Sequence, residues 1–276
     1  MPIFTSYDGT DLWYEATGAA TAGAPPLVAL PGGPGADLRY LGDLAGLDTD
    51  RVLVRLDGRA AGRSTVPADR ASCSFTAQAA DVAALARHLG HDRIDLLGHS
   101  AGALVAQHCA AEFPTLVSRL VLVCPVGRAA REPDAAELAV LRAGRAAEPW
   151  YPAAADAQEK LARGEGDTRE LTALITPFFW ARWDDRARAE AGRQLPAAPD
   201  WLRAAFYAGA GEPRPVTAPT LVIAGALDGM IGTAPARLAA SCHPNARLEI
   251  VEAAGHRPWV EQPVRFRALV EEFLTR

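Results

Sequence analysis

The chain has 276 residues, enough for one large α/β domain or a core domain carrying an insertion. A hydrophobic share of 49% and a charged share of 22% fit a globular chain with a substantial core. The net charge of −5, with no basic run, argues against nucleic acid and anionic membrane surfaces as partners.

In chain order, two short strands come first, with Tyr7-Asp8-Gly9-Thr10 as the turn and Leu12 to Thr17 as the return. A loop of Gly, Ala and Pro, Gly18 to Pro26, leads to a buried strand at Leu27-Val28-Ala29-Leu30. The glycine-rich turn Pro31-Gly32-Gly33-Pro34-Gly35 follows, then a short helical stretch and a strand over Arg51 to Leu56. Val82, Leu85, Ala86 and Leu89 recur at i, i+3, i+4 and i+7, which predicts a helix from about Phe75 to Leu89. Ile94-Asp95-Leu96-Leu97 reads as a buried parallel strand, and Ala103 to Ala110 as a helix without a breaker. Leu120-Val121-Leu122-Val123 is the next buried strand. From about Gly127 to Pro215 the β pattern is lost over a stretch too long for one crossover, so a helical insertion over the sheet is expected there. The α/β pattern resumes with Thr220 to Ala224, a helix near Pro235 to Ala240, the strand Arg247 to Val251 and a final helix from about Val264 to Leu274. The expected organisation is therefore a core over residues 1–126, a helical cap over 127–215 and the rest of the core over 216–276.

Between the strand ending at Leu97 and the helix starting near Ala103 stands Gly98-His99-Ser100-Ala101-Gly102, a G-x-S-x-G sequence at a strand-to-helix turn. Such a turn strains the serine into an exposed position and tolerates only small neighbours. The N–H after the serine lies at a helix N-terminus, where negative charge is stabilised. A serine hydroxyl needs a base to take its proton, and the base needs an orienting carboxylate. Loops at the carboxyl ends of strands downstream of Ser100 supply Asp228, in Gly225-Ala226-Leu227-Asp228-Gly229, and His256, in Glu252-Ala253-Ala254-Gly255-His256. Ser100, Asp228 and His256 thus stand in the order Ser…Asp…His, each just past a strand. Read singly, Asp228 could cap a helix and His256 could be a loop histidine; jointly, in order and in context, they point to acyl transfer. His88, His91 and His108 lie on or beside helices, and His243 sits in a turn, so none competes as the base. The expected oxyanion donors are the N–H of Ala101 and that of Gly33, with Gly32 as the alternative to Gly33.

The motifs Leu30-Pro31-Gly32-Gly33-Pro34-Gly35, Asp57-Gly58-Arg59-Ala60-Ala61-Gly62-Arg63-Ser64 and Gly98-His99-Ser100-Ala101-Gly102, with Asp228 and Gly255-His256-Arg257-Pro258, resemble the α/β-hydrolase superfamily. Within it they are similar to the branch that includes proline iminopeptidases. That branch usually shows H-G-G-P-G in the first motif, where Pro31 replaces the histidine, and G-G-S-W-G at the elbow. The resemblance implies a mostly parallel sheet with helices on both faces, an inserted helical cap and serine-hydrolase chemistry. An iminopeptidase would also need cap carboxylates for a substrate amine; Glu148, Asp184, Asp185 and Glu190 are available, and each could equally be a solvated helix charge.

The expected substrate is a small, largely apolar ester, lactone, thioester or amide. The alternatives are N-terminal proline removal and a catalytically silent ligand binder on the same fold. The aromatic residues of 127–215 suggest an apolar pocket, with Phe179 and Trp183 as candidate lining residues and His99 beside the nucleophile. No cofactor or metal is expected, because no dinucleotide fingerprint or ligand cluster stands out. Cys73, Cys109, Cys124 and Cys242 form no C-x-x-C pair, and Lys160, the one lysine, sits in a polar surface setting. No apolar run reaches the length of a membrane span, and the start of the chain shows no signal-peptide pattern, so a cytoplasmic protein is expected. Nothing in the pattern sets an oligomeric state.

Overall fold

The computed structural model describes residues 2–20, 23–193 and 198–275. Two residues of the Gly18–Pro26 loop, four near the end of the expected insertion and the two chain ends lie outside that range.

Among the described residues eight strands form one sheet: β1 (Ile3–Thr5), β2 (Asp11–Thr17), β3 (Leu27–Leu30), β4 (Leu53–Leu56), β5 (Ile94–His99), β6 (Val117–Val123), β7 (Thr220–Gly225) and β8 (Ala246–Val251). Their order is β1-β2-β4-β3-β5-β6-β7-β8. β1 with β2 and β2 with β4 pair antiparallel, and the six strands β3 to β8 run parallel to one another. The central strands are apolar throughout because both their faces are covered. Alternate residues therefore enter two separate cores. Val28, Leu96, Leu122 and Val222 face one side, where they pack with helices α1 (Phe75–His88) and α2 (Gly102–Glu112). Leu27, Leu97, Val121 and Leu221 face the other, against the C-terminal helix and the Leu41–Leu47 segment.

Between β6 and β7 the described residues contain no strand. They hold α3 (Ala135–Ala143), α4 (Tyr151–Arg163), α5 (Thr168–Ile175), a short 3-10 turn (Thr176–Phe179), α6 (Asp185–Gly192) and α7 (Asp200–Tyr207). Asp134, Asp167 and Asp184 cap three of these helices through their carboxylates, and Gly164 ends α4 in the left-handed conformation. After β7 come α8 (Ala234–Cys242), the single turn α9 (Pro258–Glu261) and α10 (Pro263–Thr275). The α9 turn is too short to carry a periodic apolar pattern, so the sequence gives no sign of it.

Candidate active site

β5 passes directly into α2 through Ser100, whose φ of 54° places a non-glycine residue in the left-handed region. Such strain persists only where the surroundings hold it. Here Ser100 N–H donates to Val123 O at 2.9 Å. The glycines at the corner are sterically required. A Cβ at Gly98 would lie 2.6 Å from Gly102 O and 2.7 Å from Ala103 Cα, and one at Gly32 would lie 2.6 Å from Ser100 Cβ.

Asp228 and His256 are brought together from loops after β7 and β8. His256 Nδ1 donates to Asp228 Oδ2 at 2.6 Å, while the N–H groups of Met230 and Ile231 donate to Asp228 Oδ1 at 3.0 Å each. Both carboxylate oxygens are thus directed, one by backbone and one by the imidazole. The segment between β6 and β7 holds these loops in place. Gly229 N–H donates to Phe178 O at 2.9 Å, and His256 N–H to Phe179 O at 2.6 Å. From α3, Arg142 Nε donates to Gly229 O at 2.8 Å, and Glu137 accepts from Thr233 and Ala234 N–H at the start of α8. Glu261 accepts from Ala181 and Gly255 N–H, joining the β6–β7 segment to the residue before the histidine.

A cleft of about 110 Å³ is walled by Ser100, His256, Gly33, Phe179 and Arg257 among others. Phe179 lies with its ring centroid 5.1 Å from that of His256. Trp183 is not among the lining residues: it packs against the core cluster that contains Trp180 and Ala187, beneath the Arg188 guanidinium. Helical periodicity could not have told which of these aromatics faces inward. A second, smaller cavity lies across the Gly32–Gly35 turn, bounded by Leu56, Val82, Val105, Leu202 and Phe206, and Ser100 is not part of its wall.

His99 is buried and takes part in a directional chain that sequence reasoning missed. Gly32 N–H donates to Tyr40 Oη at 2.6 Å, so the hydroxyl proton goes to His99 Nδ1, also 2.6 Å away. The His99 Nε2 proton then goes to His256 O at 2.8 Å. Burial, with nearby His256, pushes the His99 pKa well below its ordinary range, so the ring stays neutral and keeps this tautomer. The chain ties the glycine turn to the backbone of the histidine loop. It also occupies the Gly32 N–H, whereas the N–H groups of Gly33 and Ala101 have no partner among the described residues. Nothing in Leu38-Arg39-Tyr40-Leu41 marks Tyr40 in advance, since its role depends on the fold.

Cys124, at the end of β6, brings its sulfur within 4.8 Å of donor atoms on Asp228 and His256. Burial and the Asp228 charge push the thiol well above its usual range. The other two groups, Asp228 Oδ2 and His256 Nδ1, are engaged with each other at 2.6 Å.

A mostly parallel sheet, a serine at a strand-to-helix corner and an Asp–His pair at neighbouring strand ends define a hydrolase-type architecture. The chain belongs to the alpha/beta hydrolase fold family, whose model matches residues 25–263. An uncharacterised protein from Mycobacterium tuberculosis is 31% identical over 236 residues, covering 77% of this chain; the chain spans 64% of that relative's length. An esterase from Exiguobacterium antarcticum superposes with a TM-score of 0.75 at 19% identity, covering 99% of both chains. A proline iminopeptidase from Mycobacterium smegmatis gives 0.73 at 22%, covering 99% of this chain and 97% of that one. At these identities the two structures speak for the fold.

Proposed function

We propose that the protein is a cofactor-independent serine hydrolase acting on a small, largely apolar ester, lactone, thioester or amide. The observation that carries this reading is His256, paired with Asp228 at 2.6 Å and sharing a cleft with a serine on a strained elbow. In this reading Ser100 Oγ attacks the substrate carbonyl and His256 Nε2 takes the hydroxyl proton. Asp228 holds the imidazole through Nδ1–H and stabilises its cationic form. The N–H groups of Gly33 and Ala101 receive the negative oxygen of the tetrahedral intermediate. His256 then returns the proton to the leaving group, and an acyl-enzyme remains. Water, deprotonated by His256, attacks the acyl-enzyme and releases the acid. The helices of 127–215 act as a cap that both covers the site and braces the acid and base loops. The expected partner is a small molecule, and the expected location is the cytoplasm.

Removal of N-terminal proline is the second reading, and it needs a carboxylate at the cleft to bind the substrate amine. Of the acids available in the insertion, Asp184 caps α6, and Asp185 and Glu190 pair with Arg188 and Arg193. The cleft wall instead presents Arg257. A panel of p-nitrophenyl acyl esters beside proline p-nitroanilide separates the readings. Ester turnover that vanishes in Ser100→Ala supports the proposal; turnover of the proline anilide alone would replace it with the peptidase. Failure of both, with an unreactive Ser100, would leave a silent binding protein.

A further inference from the structure

Arg257 follows the candidate base and lines the same cleft as Ser100 and His256, yet only 5% of it is exposed. Its guanidinium lies over the rings of Tyr40, at 4.8 Å, and Trp180, at 5.3 Å. Ring contacts of this kind offset part of the desolvation but consume no N–H. Of the five N–H donors a guanidinium carries, one reaches Glu190 O at the long distance of 3.4 Å. Among the described residues no carboxylate lies within ion-pair distance. The two acids that act on Arg257 are engaged elsewhere. Glu190 pairs with Arg193 at 2.8 Å, and Glu261 accepts from Ala181 N–H at 2.8 Å and Gly255 N–H at 2.6 Å. A buried arginine stays charged, and an unpaired buried charge is a standing cost unless a ligand completes it.

We propose that Arg257 is a specificity-determining residue that binds a carboxylate carried by the substrate. The inference rests on the serine-hydrolase reading of the same cleft and narrows its substrate class. A planar guanidinium matches a carboxylate through two parallel N–H···O bonds. A single arginine, with no second cation in the cleft wall, suits one negative charge better than the two of a phosphoryl group. Ala36, Phe179 and Trp180 give the wall an apolar part, beside the polar side chains of Tyr40, His99 and Thr176. The substrates that fit have a short apolar body with the scissile carbonyl at one end and an acid at the other. Half-esters of short dicarboxylic acids and lactones bearing a free acid belong to this class.

The test compares ethyl hydrogen glutarate with diethyl glutarate, which differ in one charge, by chromatographic measurement of kcat/KM in the whole protein. The wild type is expected to prefer the acid at least tenfold, in line with a charge-assisted hydrogen bond. Arg257→Gln should bring that ratio to about one, mostly through KM, and Arg257→Lys should restore part of it. Equal or better use of the diester by the wild type would overturn the proposal, as would a preference that survives in Arg257→Gln. If neither ester is hydrolysed, reaction of Ser100 with a fluorophosphonate decides whether the hydrolase reading has failed. Calorimetric titration of glutarate into the wild type and Arg257→Gln then decides the arginine's role. Binding confined to the wild type supports it, and binding by both or neither overturns it.

Discussion

Tyr40→Phe isolates the hydrogen-bonded chain that links the glycine turn to the histidine loop. The substitution keeps the ring contacts with His99 and Trp259 and removes one oxygen. That oxygen makes two buried hydrogen bonds of 2.6 Å, so its loss leaves the Gly32 N–H and His99 Nδ1 unsatisfied. Each orphaned buried group costs roughly 1–3 kcal/mol, giving about 2–6 kcal/mol in total. For a chain of this length, about 2 °C of melting temperature accompanies each kcal/mol, so a fall of roughly 4–12 °C is expected. The freed Gly32 amide also loosens the turn that presents Gly33 to the oxyanion. A displacement of under about 1 Å there should lower kcat by about 10–100-fold, with a smaller effect on KM. Scanning calorimetry and steady-state ester hydrolysis measure the two effects separately. A melting temperature within about 1 °C of wild type, with unchanged kcat, would refute the chain as a positioning device.

Asp228→Asn should leave the fold intact and lower kcat by about 10³-fold or more, because an amide cannot hold the imidazole in the proton-accepting tautomer; stopped-flow ester hydrolysis checks this. Phe179→Ala should shift acyl chain-length preference across an ester panel more than it lowers the reactivity of Ser100, since the ring lines the cleft. Asp95 bears on stability: it is fully buried on β5, both its oxygens lack hydrogen-bond partners, and Arg51 and Arg119 stand 3.6 and 4.0 Å away. Burial pushes its carboxyl up to about 6 against the pull of the arginines. The folded pKa is raised, so the stability contribution is complete below about pH 4 and is lost as pH rises through 6. Asp95→Asn should therefore match wild type near pH 4 and exceed it near pH 8. The gain should reach up to about 3 kcal/mol, since a raised carboxyl loses about 1.4 kcal/mol for every pH step between its unfolded and folded pKa. Urea unfolding at both pH values measures the difference, and a less stable variant at pH 8 would show that the ion pairs outweigh the burial.

The parallel sheet was legible because the central strands are continuous apolar runs followed by helical periodicity. The serine corner and the loops bearing Asp228 and His256 were legible because the end of a strand is a local feature, and each residue stands just beyond one. Tyr40 and Arg257 were not, because their roles arise from contacts between segments far apart in the chain. A charged residue directly after the candidate base was the one signal that could have drawn attention to Arg257. Phe179 and Trp183 are aromatics four positions apart, and nothing in the sequence pattern tells which of them faces the cleft. What separates them is where the 3-10 turn at Thr176–Phe179 ends and which way the chain leaves it. The bracing of the Asp228 and His256 loops by Phe178 and Phe179 carbonyls was equally hidden, since backbone groups carry no sequence signature.

The central claim is that Ser100 is a nucleophile activated by His256 and Asp228. Treatment with a fluorophosphonate, followed by peptide mass spectrometry, tests it most directly. The account predicts a single phosphonylated residue, Ser100, with labelling abolished in Ser100→Ala and slowed by about 10³-fold or more in His256→Ala. Modification of another residue, or an unmodified Ser100 in correctly folded protein, would contradict it.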